Sequence, residues 1–290
     1  MDTRRGKDLS QIELTWRRFK RGLLQARRLV DWQLDPHTLE HGDPAEFPWV
    51  HARIQRSVRR DDRSAHPLLE EGKGVNVALA APAFDGLAVG ARGLSFWRTL
   101  GPIRARDGYR MGMELAGGCV VPALGGGICL LGNALFEAAA WGGWRVLERH
   151  GHTTEAVPDL SQPWGLDATL SFPQVDLRIA PRAGRGLLLC RVLDEALVIE
   201  LRGTEPPPQQ VGIRGVAERF FEEDGTRFRS NTLLRTLVLP EGTRQEVLGH
   251  NRKRLLHEVD MGRSCLTCGQ FQCKQRPADT PHLPLKRSAA

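Results

Sequence analysis

The chain has 290 residues, 41% of them hydrophobic and 26% charged, with a formal net charge of +7. That is enough apolar material for a sizeable core and excludes a chain disordered over most of its length. The basic residues are scattered among acids and there is one Tyr, so composition excludes a nucleic-acid footprint and leaves a mild attraction to acidic ligands or envelope surfaces.

The first thirty residues set Leu9, Ile12, Leu14, Trp16, Phe19, Leu23, Leu24, Leu29 and Val30 among Arg and Lys. This spacing predicts a basic amphipathic helix, expected to pack on the domain with its charges solvated; a membrane-surface helix is the alternative. The stretch has no apolar core or small-residue cleavage site of a secretory signal, so the expected location is cytoplasmic, at most peripheral to the membrane. Residues 31–75 are mixed, with a loop or short helix expected around "WVHARIQRSVRR".

From "GVNVALAAPAFDGLAV" through "GLSFWRTLGP" the text reads as short strands and turns. Residues 115–136 carry no charge and are about as long as a membrane span, but their glycines and Pro122 break them into a strand, a glycine loop and a helix start. No transmembrane segment is expected. A helix follows from about Cys129 to Trp144, and then strand candidates at "HTTEAV", "GLDATLSF", "VDLRIAP", "GLLLCRVLDEALVIELRG" and "RFRSNTLLRTLVL". The fourth reads as a hairpin turning at Asp194 and Glu195.

The expected fold class is α+β: a central Cys-bearing helix packed on antiparallel strands, then a β-rich C-terminal half and a Cys-containing tail. The expected organisation is a basic helical region over 1–75, a core over 76–205, a β-rich extension over 206–262 and a partly loose tail over 263–290.

Gly125, Gly126 and Gly127 run straight into Cys129 at the helix start. Glycines allow a tight turn and leave amide N–H groups at a helix N-terminus, where a thiolate is stabilised and an oxyanion can be received. A thiolate nucleophile needs a histidine held by a third polar group. If "HTTEAV" and "WGLDATL" are adjacent antiparallel strands, His152 and Asp167 both face Cys129, while His150 points to the opposite face. The order Cys, His, Asp is similar in arrangement to transglutaminase-like and papain-like enzymes. The bland alternative is a buried Cys beside Leu130 and Leu131, with Asp167 in an ordinary turn.

In the tail, Cys265, Cys268 and Cys273 have C-x2-C-x4-C spacing. Such thiolates suit zinc or an iron–sulfur cluster, with Cys190, His257 or His282 as a fourth ligand; free thiols are the alternative.

With "LLQARR", "GLSFW", "GGGIC", "LGNALF", "VLERHGH", "GLDATL", "VDLRI" and "CLTC" in order, the chain resembles the VanW family, known from vancomycin B-type resistance clusters. Cys129, Glu148, His152 and Asp167 keep the family's pattern, whereas Leu130 stands where a Gln is usual and Gly132 where a Ser is usual. The resemblance implies glycopeptide resistance or cell-wall metabolism, with a cell-wall peptide or amide as the ligand. It adds Asn133, Glu148 and His150 to the glycines as binding candidates. The functional expectation is a cysteine-dependent hydrolase or transferase; a non-catalytic binding module and a metalloprotein are the alternatives. Oligomeric state leaves no mark in the sequence.

Overall fold

Alternate residues Leu197, Ile199 and Leu201 are fully buried, and this period of two defines a strand at the centre of the molecule. A computed structural model describes residues 11–34, 39–59, 67–116, 119–155 and 163–255. In chain order the first half contains α1 (Gln11–Leu34), β1 (Glu40–His41), β2 (Trp49–Ser57), α2 (Pro67–Ala80), β3 (Leu87–Val89), β4 (Leu94–Ser95), α3 (Phe96–Leu100), β5 (Met111–Ala116), β6 (Cys119–Leu124) and α4 (Cys129–Trp141). The second half contains β7 (Arg145–Glu148), β8 (Thr154–Glu155), β9 (Arg178–Ala180), β10 (Gly186–Leu193), β11 (Ala196–Gly203), β12 (Gln210–Glu223), β13 (Thr226–Leu239) and β14 (Gly242–Leu255). The architecture is mixed α+β and strand-rich. No helix among the described residues is long and apolar enough to cross a membrane.

The central sheet has the order β1-β3-β10-β11-β2. The β10–β11 hairpin closes through Asp194 (φ 47) and Glu195 (φ 60), two consecutive left-handed residues that match the twist of the strands they join. β2 pairs antiparallel along β11 from Ala196↔Ser57 to Gly203↔Trp49, which corrects the loop or short helix expected for "WVHARIQRSVRR". Its side chains are exposed or half-buried, so it lacks the apolar alternation that marks a strand in sequence.

The strands expected in "GVNVALA" are also corrected, because the segment is the end of α2. Its buried positions, Leu69, Glu70, Lys73, Asn76, Val77 and Ala80, follow helical spacing. Three of them are polar, which hid the period from hydropathy.

α4 packs against β2 and β11, and Leu131, Leu135, Phe136, Ala138 and Ala139 are fully buried. It ends at Trp141, sooner than expected. Arg235 of β13, 1% exposed, donates through Nη1 to the carbonyls of Ala139 (3.2 Å), Ala140 (3.0 Å) and Trp144 (2.8 Å). Ala139 O also accepts from the Trp144 N–H at 2.9 Å, and Arg235 supplies a partner for the Ala140 and Trp144 carbonyls at the helix end. Glu246 of β14 balances the charge, accepting from Arg235 at 2.6 Å and from Arg182 at 2.8 Å.

β12, β13 and β14 form a meander of strands 14 residues long, and β8 joins it in parallel through Arg254↔Thr154 and Leu255↔Glu155. β7 and β4 flank β9 in a third sheet, and β5 pairs with β6. Among the described residues the expected antiparallel pair of "HTTEAV" and "WGLDATL" does not occur. Residues 163–170 form an irregular loop, and "GLDATLSF" contributes one bridge, Ser171↔Val175. Side chains satisfy that loop's backbone instead: Asn231 bonds the Trp164 carbonyl at 3.0 Å and Asn133 accepts from the Ala168 N–H at 2.7 Å.

The amphipathic helix expected at the start is α1, but its packing differs from the expectation. Arg28 pairs with Glu148, and the Trp32 ring lies 6.3 Å from Phe172. Trp16, Phe19, Leu23, Val30 and Leu34 are exposed.

Candidate functional site

The glycine run is shaped by its neighbours. Gly125 (φ 75) and Gly127 (φ 99) adopt left-handed backbone, and a Cβ on Gly126 would lie 2.3 Å from the Gly112 carbonyl carbon in β5. One on Gly127 would lie 2.1 Å from Lys73 Cγ in α2. The side chain of Asn76 ties the three pieces together, donating to Arg110 O and Gly126 O at 2.9 Å each and accepting from the Arg110 N–H at 2.8 Å. The triplet therefore exists to press the turn against β5 and α2, and that contact fixes where α4 begins. The Gly125 and Gly126 amides, expected to stay available, donate to Arg110 O (3.0 Å) and Ala123 O (2.9 Å). Among the described residues, no backbone carbonyl accepts from the N–H of Gly127 or Cys129.

Cys129 is half-buried at the first residue of α4. The His152 side chain hydrogen-bonds both Asp167 and Cys129. Asp167 Oδ2 meets the His152 Nδ1 and accepts from the His152 backbone N–H at 2.9 Å. Asp167 is itself clamped from the other side. Lys253 Nζ donates to Oδ1 at 2.7 Å, and Arg149 Nη2 lies 3.4 Å from the same oxygen. Arg149 also donates to Asp167 O (2.6 Å) and Gly165 O (2.5 Å), and its guanidinium sits 5.1 Å from the Phe136 ring centre of α4.

Burial alone would lower the His152 pKa, but the hydrogen bonds and charges of Asp167 and Cys129 outweigh it and push it up to about 9. Burial alone would raise Asp167, and the bond to His152 with the charges of Lys253, His152 and Arg149 instead holds it well below the usual carboxylate range. At neutral pH the ring is a cation between a carboxylate and a sulfur. The His152 side chain keeps 31% of its surface exposed, so the group opens to solvent.

The other candidates fall elsewhere. Glu148 takes Arg28 of α1 on one side and His150 Nε2, at 3.2 Å, on the other, and is outside the chain of bonds to Cys129. The His150 side chain is 48% exposed. Asn133 holds the Ala168 N–H, one residue past Asp167. Gly132 lies against Leu170, whose Cδ1 would be 2.6 Å from a Cβ there. Cys190 is buried on β10, and burial, with the nearby Asp85 charge, pushes its thiol well up. Cys265, Cys268 and Cys273, with His257 and His282, lie outside the described residues. Among the described residues no group of three His, Cys, Asp or Glu side chains could hold a metal.

Sequence reasoning missed Arg149 and Lys253. Arg149 lies inside "VLERHGH", where its charge reads as a solvated face. Lys253 has no local signal, because 86 residues separate it from Asp167.

The site is thus a Cys, His, Asp constellation at the start of a buried helix, with two cations behind the carboxylate. Residues 72–201, which contain all of it but Lys253, match the family described as VanW like protein, and over that segment the chain is similar to that family. It is 27% identical over 145 residues to Vancomycin B-type resistance protein VanW of Enterococcus faecalis (strain ATCC 700802 / V583), covering 49% of this chain and 53% of that protein. It is 30% identical over 115 residues to Uncharacterized protein YoaR of Bacillus subtilis (strain 168), covering 39% of this chain and 37% of that one. The chain therefore spans about half or less of the curated relatives it matches. No solved structure matches it.

Proposed function

We propose that Cys129 is the nucleophile of an amide or peptide hydrolase or acyltransferase, with His152 as general acid and base and Asp167 as its orienting partner. The observation that carries this reading is the position of His152 between Asp167 and the Cys129 sulfur at the first residue of α4. The order Cys, His, Asp is similar to that of transglutaminase-like and papain-like enzymes, although His152 and Asp167 lie on loops and not on successive strands.

In the first step the Cys129 thiolate adds to a carbonyl carbon, and the oxygen takes the negative charge. The Cys129 N–H and the positive end of α4 are placed to receive it. The carbon–nitrogen bond then breaks, the amine leaving with the proton of His152 and a thioester remaining on Cys129. Water or an acceptor amine attacks the thioester, gives its proton to His152 and releases the acyl group and the thiolate. Asp167, held by Lys253 and Arg149, keeps the ring in register and offsets its charge.

The Enterococcus faecalis relative is named for vancomycin B-type resistance, which supports a role for this chain in glycopeptide resistance or cell-wall metabolism and an envelope peptide or amide as substrate. The test is intact-mass spectrometry of the protein incubated with solubilised cell-wall peptide. An added acyl mass on Cys129, absent in Cys129→Ser, is expected. A Cys129 that takes neither acyl group nor iodoacetamide in the native protein overturns the reading.

The departures at Leu130 and Gly132 favour a second reading, an accessory module that binds such a peptide without cleaving it. It requires Cys129→Ala to bind cell-wall peptide as well as the parent, with no turnover by either.

A further inference from the structure

Helix α1 meets the rest of the chain through Arg28, which pairs with Glu148 and bonds Gln174 O at 3.2 Å, and through Trp32 against Phe172. At 3.6 residues per turn, Trp16, Phe19, Leu23, Val30 and Leu34 fall on one stripe, on the side of the helix away from Arg28 and Trp32. These five are 55%, 61%, 62%, 49% and 78% exposed. Water-soluble surfaces seldom leave an aromatic and aliphatic stripe of that length uncovered.

The charge of the helix says what covers it. The α1 sequence holds Arg17, Arg18, Lys20, Arg21, Arg27 and Arg28 against Glu13 and Asp31. Lys20 Nζ stands 5.1 Å from the centre of the Trp16 ring, and the Trp16 and Phe19 rings stack at 5.8 Å. An apolar stripe of Trp, Phe and Leu on a strongly basic helix fits an anionic lipid surface: the stripe enters the acyl boundary and the cations reach the headgroups. A second copy fits poorly, because pairing two such stripes brings Lys20 and Arg27, which flank the stripe, against their counterparts.

We propose that α1 lies in the plane of an anionic bilayer and anchors the protein there. Arg28 holds Glu148, which also bonds His150, two residues before His152. The anchored helix therefore sets the Cys129 site beside the membrane. This inference does not depend on Cys129 being catalytic.

The test is sedimentation of the full chain with vesicles of zwitterionic phosphatidylcholine, alone or with about a third phosphatidylglycerol. Binding to the anionic vesicles is expected to be at least about tenfold tighter and to weaken as salt is raised. The double variant Phe19→Glu with Leu23→Glu should lose that binding at an unchanged melting temperature, since both side chains are exposed. A readout on the unaltered chain guards against misfolding of the variant: anionic vesicles alone should slow tryptic cleavage after Lys20 and Arg27. Equal binding to both vesicles, no binding to either, or a solution dimer dispersed by the double variant would overturn the proposal, the last by giving the stripe to a second copy.

Discussion

Lys253 of β14 and Asp167 meet at 2.7 Å, so the last strand of the meander holds the carboxylate against which the candidate histidine rests. Asp167→Asn should cost more than Lys253→Met. Removing the carboxylate leaves three cationic groups facing one another, among them Arg149 with a side chain 2% exposed, at about 3–5 kcal/mol. Removing Lys253 leaves Asp167 with two partners, at about 1–2 kcal/mol. Urea denaturation of both variants checks the order.

The pH dependence follows from the same group. The His152 pKa is raised to about 9, so its contribution to stability is full below its unfolded value of about 6.5 and is lost as pH rises toward 9. Asp167 is depressed, so its contribution is present above its unfolded value of about 4 and is lost in stronger acid. The melting-temperature gap between the parent and His152→Gln should therefore be widest between these two unfolded values and narrow by about pH 9.5. A constant gap from neutrality into alkali would contradict the pairing.

Alkylation separates the two histidines. His152 touches both Asp167 and Cys129, while His150 touches Glu148. At neutral pH, His152→Ala should slow iodoacetamide labelling of Cys129 by about tenfold or more, and His150→Ala should change it less than twofold. Peptide mapping by mass spectrometry reads both.

Gly126→Ala tests the tight turn. Its Cβ would sit 2.3 Å from backbone of β5, so the loop must shift, at about 2 kcal/mol or more, and Cys129 must shift with it. Gly212→Ala on β12 meets nothing within 4 Å and should be neutral or slightly stabilising. Thermal melts together with Cys129 labelling rates distinguish the two.

Arg235 should tolerate no substitute. Its planar fork serves three carbonyls and Glu246 at once, a geometry an ammonium cannot reproduce. Arg235→Lys should lose about 2–4 kcal/mol by urea denaturation, and Arg235→Met at least as much.

The parts of this fold that could be read in advance are those whose signals are local. The Asp194 and Glu195 turn stands between two runs of β-branched and aliphatic residues, and the glycines before Cys129 mark a loop entering a helix. α2 is hidden because Glu70, Lys73 and Asn76 occupy buried positions, and β2 because its pairing with β11 leaves its side chains exposed or half-buried. The order Cys129, His152, Asp167 was legible as chemistry. The means of bringing the three together was not, because Asp167 is placed by an irregular loop whose backbone partners, Asn133, Arg149 and Asn231, lie far from it in sequence.

The pairing of β2 with β11 has a consequence for anyone who trims the chain to the segment that matches the family. A fragment of residues 72–201 would shed β2 and leave β11 with a bare row of backbone donors and acceptors along Leu197, Ile199 and their neighbours. The same cut removes Arg235 from the end of α4 and Lys253 from Asp167. Such a fragment would offer a ready template for strand addition and should self-associate into aggregates in light scattering, whereas a chain restored to residues 39–255 should stay dispersed.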